Sequence, residues 1–360
     1  MLDAIVMQGM SVLQYIEKKP GFIVGPITQV LGFIIDLVFR VISTLGQPNS
    51  LGWSIIILTI IARTMMLPLG VKSQKSMLRM QRLTPEVNKI KAKYGGSKDP
   101  ELQRKMNAEI QALYATNKVN PLSGCLPLLL QMPIFFALSY LLRQSYLFIP
   151  SIHDIYAEIG RNIEQMDNFQ QIIGVIGRPK IPKDLWLTMA DGTKAFFVGE
   201  VPGMTITVSE AFDNLLKLVN RFNAEDWKMI WEGMAGNAEL LGETTKWVAQ
   251  KDAIETFYGI GLLGNAGMVG IGVLIPIFTA VTTFLSSFVM NKTNPSGDAA
   301  AKTQQKVMMV VMPVMMFFMT ASMSAGVGLY WIVSSVYQTV QQYFLYKYFS
   351  KKDGIKEAAK

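Results

Sequence analysis

Apolar residues in this chain come in long runs rather than in the short rhythms of a soluble core. The runs at about 51–71, 122–142, 263–290, 307–325 and 327–349 each have the length that crosses a bilayer as a helix, so five spans are expected. Between the first two, the pattern changes to apolar residues at intervals of three and four: Met77, Met80, Leu83, Val87 and Ile90, then Leu102, Met106, Ile110 and Leu113. That spacing predicts one helix from about Val71 to Tyr94 and another to about Asn117. Gly95-Gly96 marks the turn, Asp99 the N-cap and Pro100 the first helical position. Two such stripes bury each other as an antiparallel hairpin.

Residues 22–46 are mostly apolar, yet Gly25, Gln29, Gly32, Asp36, Arg40 and Ser43 recur as one polar stripe, with Asp36 and Arg40 spaced to pair. This fits a helix lying in the membrane interface; a sixth span is the other reading. The long segment 143–262 looks soluble. Lys194–Val201 and Gly203–Val208 read as short strands, with Asp191-Gly192 as a turn. Ser209–Phe222, Ala224–Met234 and Asn237–Ala249 read as helices, which makes a small α+β insert.

Composition agrees with a polytopic membrane protein, at 50% hydrophobic and 17% charged residues. Charge then sets the orientation. Segment 72–118 carries eleven Lys and Arg against four Asp and Glu, which places it in the cytoplasm. The loop at 291–306 and the tail at 347–360 are also net basic and fall on the same side; segment 143–262, with 11 basic and 16 acidic residues, falls outside. The C-terminus is therefore expected in the cytoplasm. The start, Met1–Met7, has no basic stretch and no small-residue cleavage site, so no signal peptide is expected there.

Against this background Arg63 stands out. It lies inside the first apolar run, where a charge costs about 2.5–3.5 kcal/mol on insertion scales. A chain accepts that cost when the guanidinium meets a watery cavity or a polar partner. Pairing with a carboxylate is an alternative, although the other spans hold no Asp or Glu; snorkelling to the interface is another. Pro68, Pro127, Pro133, Pro276 and Pro313 weaken four of the spans, which suits a cavity but also ordinary membrane proteins. The fourth span carries Met308, Met312, Met315, Met319 and Met323 at helical spacing, either a pliable apolar surface or plain filler. In the last span Ser334, Gln338 and Gln341 share a face.

Catalytic chemistry is missing. His153 is the only histidine, Cys125 the only cysteine, and no metal-ligand spacing, Ser/His/Asp set or phosphate loop can be assembled. No enzyme, cofactor or metal is expected.

Two strings carry a resemblance. Ile60-Ile-Ala-Arg63-Thr-Met-Met-Leu-Pro68-Leu, followed after the basic hairpin by Val119-Asn-Pro-Leu-Ser-Gly-Cys125-Leu-Pro127-Leu-Leu-Leu-Gln131-Met-Pro133-Ile-Phe, closely resembles the YidC/Oxa/Alb family of membrane protein insertases. Met312-Pro313 and Gly326-Val-Gly-Leu-Tyr330-Trp331 are similar to the family's closing spans. The resemblance implies a helical core around a polar groove, open to cytoplasm and lipid and closed outside. It implies that Arg63 serves in that groove and that Trp331 matches the groove tryptophan. The residues expected to meet substrate are Arg63, Thr59, Gln131, Trp331, Ser334, Gln338, Met312 and Met315. The polar residue that the family's third core helix contributes has no clear match; Thr282, Thr283, Ser286 and Ser287 stand in that region.

The implied function is insertion: hydrophobic segments of nascent membrane proteins pass from the groove sideways into lipid of a bacterial cell membrane. The basic hairpin and tail would serve a ribosome or targeting factor, with anionic lipids and the Sec translocon as further partners. A non-inserting assembly scaffold of a larger translocon is the main alternative, and a channel or solute carrier the next. The expected divisions are 1–49, with the amphipathic helix; 50–71, the first span; 72–118, the hairpin; 119–142, the second span; 143–262, the insert; 263–349, three spans; and 350–360, the basic tail.

Overall fold

The computed structural model describes residues 21–46, 49–95, 99–119, 126–177, 187–188, 194–195, 208–293 and 299–352. The Met1–Met7 start, the Asn120–Cys125 string, most of the expected strands and the tail beyond Lys352 lie outside them. The described chain is almost wholly helical. In the first half the helices are α1 (Val24–Thr44), α2 (Ser50–Met65), α3 (Leu67–Arg82), α4 (Thr84–Lys93), α5 (Pro100–Thr116) and α6 (Leu126–Arg143). The middle holds α7 (Ser145–Phe148), α8 (Pro150–Glu164), α9 (Phe169–Gly177), α10 (Val208–Val219), α11 (Ala224–Met234) and α12 (Ala238–Glu255). The last three are α13 (Leu274–Thr293), α14 (Ala299–Ala321) and α15 (Ala325–Lys352).

Several expectations change. The first apolar run is not one straight helix: α2 and α3 meet at a 55° bend. Pro68 is the cause, because its ring cannot donate an N–H and is tolerated only in the first turn of a new helix. The helix expected from Val71 to Tyr94 breaks again at Leu83, where Pro85 starts α4 in the same way. Asp99 caps α5, its carboxylate accepting the Glu101 N–H at 2.9 Å. Lys93 and Tyr94 at the end of α4 both donate to Glu109 on α5, at 3.1 and 2.9 Å.

The described part of the middle segment is mostly helical, and most of the residues expected to form its strands lie outside the described ones. Two short strand pairs are seen among its described residues: Leu187–Thr188 runs antiparallel to Lys194–Ala195, and Thr256–Phe257 pairs with Ile260–Gly261. Pro150 opens α8, whose Ile152, Ile155, Ile159 and Ile163 are all buried. Caps also fix α11 and α12: Asn223 and Asp226 form a reciprocal capping box, and Asn237 accepts the Leu240 N–H.

The described chain forms two compact units. The first comprises Met1–Leu51 and Tyr140–Thr256. Here α1 packs on α7 and α8, and Gly32 allows the approach: a Cβ there would lie 2.6 Å from the Phe148 carbonyl oxygen. Asp36 is buried on the same face and accepts the Ser151 N–H at 3.0 Å, so it satisfies an orphan donor in the first turn of α8. Gly32 and Asp36 thus face protein rather than water, while Phe33, Leu37 and Val41 are exposed. A polar cluster links α8 and α12. The Tyr156 hydroxyl donates to Glu255 at 2.6 Å, and Lys251 donates to the other oxygen of Glu255 at 2.8 Å.

The second unit comprises Gly52–Ser139 and Phe257–Lys360. Its centre is α13 packed along α14 and α15. Gly328 on α15 makes the approach possible, since a Cβ there would stand 2.2 Å from Ile275 Cγ2. Ahead of α13, a loop is laced to the α14–α15 turn by backbone bonds. Ala266 and Gly267 donate to Met323 and Ala321, and Ala325 and Gly326 donate back to Gly264 and Leu262. Among the described residues, α1 and Ile271–Thr293 are each long and apolar enough to cross a membrane, and the bent α2–α3 pair adds a third candidate.

Candidate functional site

Helix α2 has two faces. Trp53, Ile57, Ile60 and Ile61 are exposed, whereas Leu51, Ser54, Ile55, Leu58 and Thr59 are buried. Arg63 follows Thr59 by four residues and so extends the buried face. It sits in the last turn of α2, just before the bend, rather than in the middle of a straight span. A cation is favoured at that helix end.

The partner of Arg63 is a hydroxyl. Its Nε donates to Ser334 Oγ on α15 at 2.6 Å, and no carboxylate pairs with it among the described residues. One residue on, Thr64 shares a hydrogen bond with the Tyr337 hydroxyl at 3.0 Å. One turn earlier on α15, Tyr330 accepts a hydrogen bond from Gln131 of α6. Further along, Gln341 lies against Gly70 of α3, its Nε2 filling the space a Cβ would need. Tyr330, Ser334, Tyr337 and Gln341 recur at four, three and four, so they form one seam along α15. Trp331 flanks it, edge-on to Phe135 of α6 at 5.5 Å between ring centres.

Of the expected site residues, Arg63 and Ser334 are brought into contact, and Gln131 and Trp331 join through the Tyr330 end of α15. Thr59 is buried, but its hydroxyl is spent on the Ile55 carbonyl at 2.6 Å. Gln338 is exposed, off the seam, so the face expected for Ser334, Gln338 and Gln341 is rotated toward the tyrosines. Met312 is half-buried and Met315 exposed on α14, beside Val311, Val314 and Phe318 rather than on the seam.

The sequence reading passed over Tyr337 as a partner of Thr64 and Thr279 as a buried polar group. Thr282 uses its hydroxyl on the Phe278 carbonyl, but Thr279 and Thr283, one turn apart on α13, have buried hydroxyls with no hydrogen-bond partner among the described residues. Gln131 Oε1 and Ser324 Oγ share that condition. Buried polar atoms are costly unless something polar reaches them.

Comparison with known proteins now decides the family. The family model described as 60Kd inner membrane protein matches residues 42–191 and 223–352. The chain belongs to that family. Its relatives include Membrane protein insertase YidC 1 of Lactococcus lactis, 28% identical over 306 residues, which cover 85% of this chain and 72% of that protein. Membrane protein insertase YidC of Fusobacterium nucleatum is 25% identical over 327 residues, covering 91% of this chain and 98% of that protein. The protein of the same name from Enterococcus faecalis is 26% identical over 328 residues, 91% of this chain and 78% of its own length.

Proposed function

We propose that this protein is a membrane protein insertase that passes hydrophobic segments of nascent proteins sideways from a polar groove into the bilayer. The observation that carries this reading is the Arg63–Ser334 contact: a guanidinium in an apolar helix, held by a neutral hydroxyl and left with donors to spare. A charge kept only for structure would be matched by a carboxylate. Family membership and the names of the relatives support the same conclusion.

In this reading five spans build the core: α2 with its bend, α6, α13, the apolar part of α14, and α15. The Tyr330–Ser334–Tyr337–Gln341 seam lines a groove open to the cytoplasm, with Arg63 offering hydrogen bonds to the hydrophilic flank of a substrate. Polar groups partway across shorten the apolar distance that this flank must travel. The apolar segment then leaves toward lipid, driven by burial at about 25 cal/mol per Å² of apolar surface. The buried, unpartnered Thr279, Thr283 and Gln131 atoms suit a site that exchanges partners with a substrate.

The basic α3–α5 region and the C-terminal tail face the cytoplasm. They receive substrate from a ribosome or targeting factor and touch anionic lipid, with the Sec translocon as a further partner. The middle segment stands outside, and α1 lies at the outer interface. The test is insertion of a purified single-span substrate into vesicles that contain this protein alone. Insertion supports the reading, and deletion of Glu86–Glu109 should block it. Assembly activity without insertion would favour a scaffold, and solute flux a channel.

A further inference from the structure

We propose that a cleft between α1, α8 and α12 binds the headgroup of a zwitterionic, phosphoethanolamine-type phospholipid. The cleft has a volume of about 420 Å³ and opens between Arg40 and Ser43 of α1, Asp154 of α8, and Trp247 and Gln250 of α12. That size lies within the range of small-molecule sites.

Its charges are arranged for a zwitterion. Arg40 donates from Nε to Asp36 at 2.7 Å, and Asp36 is itself fixed by the Ser151 N–H. This fastens the guanidinium by one edge. Its side chain remains 61% exposed, with the terminal amino groups available to a phosphate. Asp154 on the facing helix is exposed and suits an ammonium, and the Trp247 ring adds a surface that attracts cations. A purely anionic ligand would meet Asp154 as a repulsion, and a purely cationic one would meet Arg40. Ser43 and Gln250 add hydrogen-bonding groups to the lining.

The lipid source follows from α1. Leu37 and Val41, within one turn of Arg40, are both 55% exposed, and Phe33 is exposed one turn further on. That apolar face gives acyl chains a surface next to the headgroup site. A soluble phosphoester would gain nothing from it. The inference rests on placing α1 at the outer interface but is independent of how substrates cross.

The test is native mass spectrometry of the full chain released from vesicles of equimolar phosphatidylethanolamine and phosphatidylglycerol, with insertion measured on the same samples. The wild type should retain phosphatidylethanolamine preferentially, by about two- to fivefold, the scale of one exposed ionic contact. Arg40→Gln should lose retention of both lipids, and Arg40→Lys should keep most of it. Asp154→Asn should turn the preference toward phosphatidylglycerol, because it removes the repulsion. Soluble glycerophosphoethanolamine should displace nothing, and insertion should stay at wild-type level in all variants. Equal retention of the two lipids by the wild type, or an unchanged preference in Asp154→Asn, would overturn the site. Displacement by the soluble ester would overturn the lipid as its occupant. Failure of either kind with insertion intact leaves the insertase reading untouched.

Discussion

Replacing Arg63 with Leu separates service to the fold from service to a substrate. The change removes the 2.6 Å hydrogen bond to Ser334. A bond to a charged group contributes about 1.5–3 kcal/mol, and a cation at a helix C-terminus about 0.3–1 kcal/mol more. The same change relieves the cost of holding Arg in an apolar helix, about 2.5–3.5 kcal/mol. Ser334 is not stranded, because a serine hydroxyl can turn to the carbonyl four residues back. The terms nearly cancel, so unfolding in detergent should shift by no more than about 1 kcal/mol. Insertion should respond differently. Loss of one charge-assisted contact to a crossing flank corresponds to about 10- to 100-fold in rate. The assays are a denaturant titration of the detergent-solubilised protein and single-span insertion into vesicles. A loss of 3 kcal/mol or more with a parallel fall in insertion would make Arg63 a structural residue. Undiminished insertion would remove it from the mechanism.

Three further outcomes test the packing. Asp36→Ala should cost about 1–2 kcal/mol, as loss of a helix cap does, and lower the unfolding temperature through the contact with Ser151. Gly328→Ala should force α15 off Ile275 and cost about 1–3 kcal/mol, read as a lower unfolding midpoint. Glu255 is held above the ordinary carboxylate range chiefly by burial, against the opposing pull of Lys251. The folded state therefore keeps its proton longer than the unfolded one, and stability should fall as pH rises from the ordinary carboxylate value through the folded value. Glu255→Gln should flatten that part of a pH titration of unfolding; an unchanged slope would count against the assignment.

The apolar runs made the helical membrane fold legible, because length and hydropathy suffice for that. Asp99-Pro100 also marked the start of α5 directly. What the sequence hid depends on neighbours far away in the chain. Arg63 and Ser334 are 271 residues apart, and nothing local tells a serine that its partner is an arginine. The spacing of Ser334, Gln338 and Gln341 was as good a helical face as Tyr330, Ser334, Tyr337 and Gln341. Only the placement of α2, α3 and α6 selects the second. Part of the stripe on α1 has the same origin, since Gly32 and Asp36 look polar toward water yet serve a protein contact, while Arg40 and Ser43 stay exposed. Of the strands expected around 194–208, Lys194–Ala195 is a strand paired with Leu187–Thr188, and residues 196–207 lie outside the described ones. The helix α8 announced itself by Pro150 and four isoleucines on one face, a pattern present in the sequence of a segment whose helices were expected only from Ser209 onward.

The central claim is that the face of α2 and α15 around Arg63 meets cytoplasmic water inside an otherwise apolar span. Cysteine mapping tests it most directly. With Cys125, the chain's only cysteine, replaced by Ser, single cysteines are placed at Thr64, Tyr337 and Gln341, and at Ile60 and Val336 as exposed apolar controls. In sealed membrane vesicles a polar maleimide added from the cytoplasmic side should label the first three and spare the two controls, and the same reagent added from outside should label none. Protection of all five positions, or equal labelling of all five from both sides, would contradict the account.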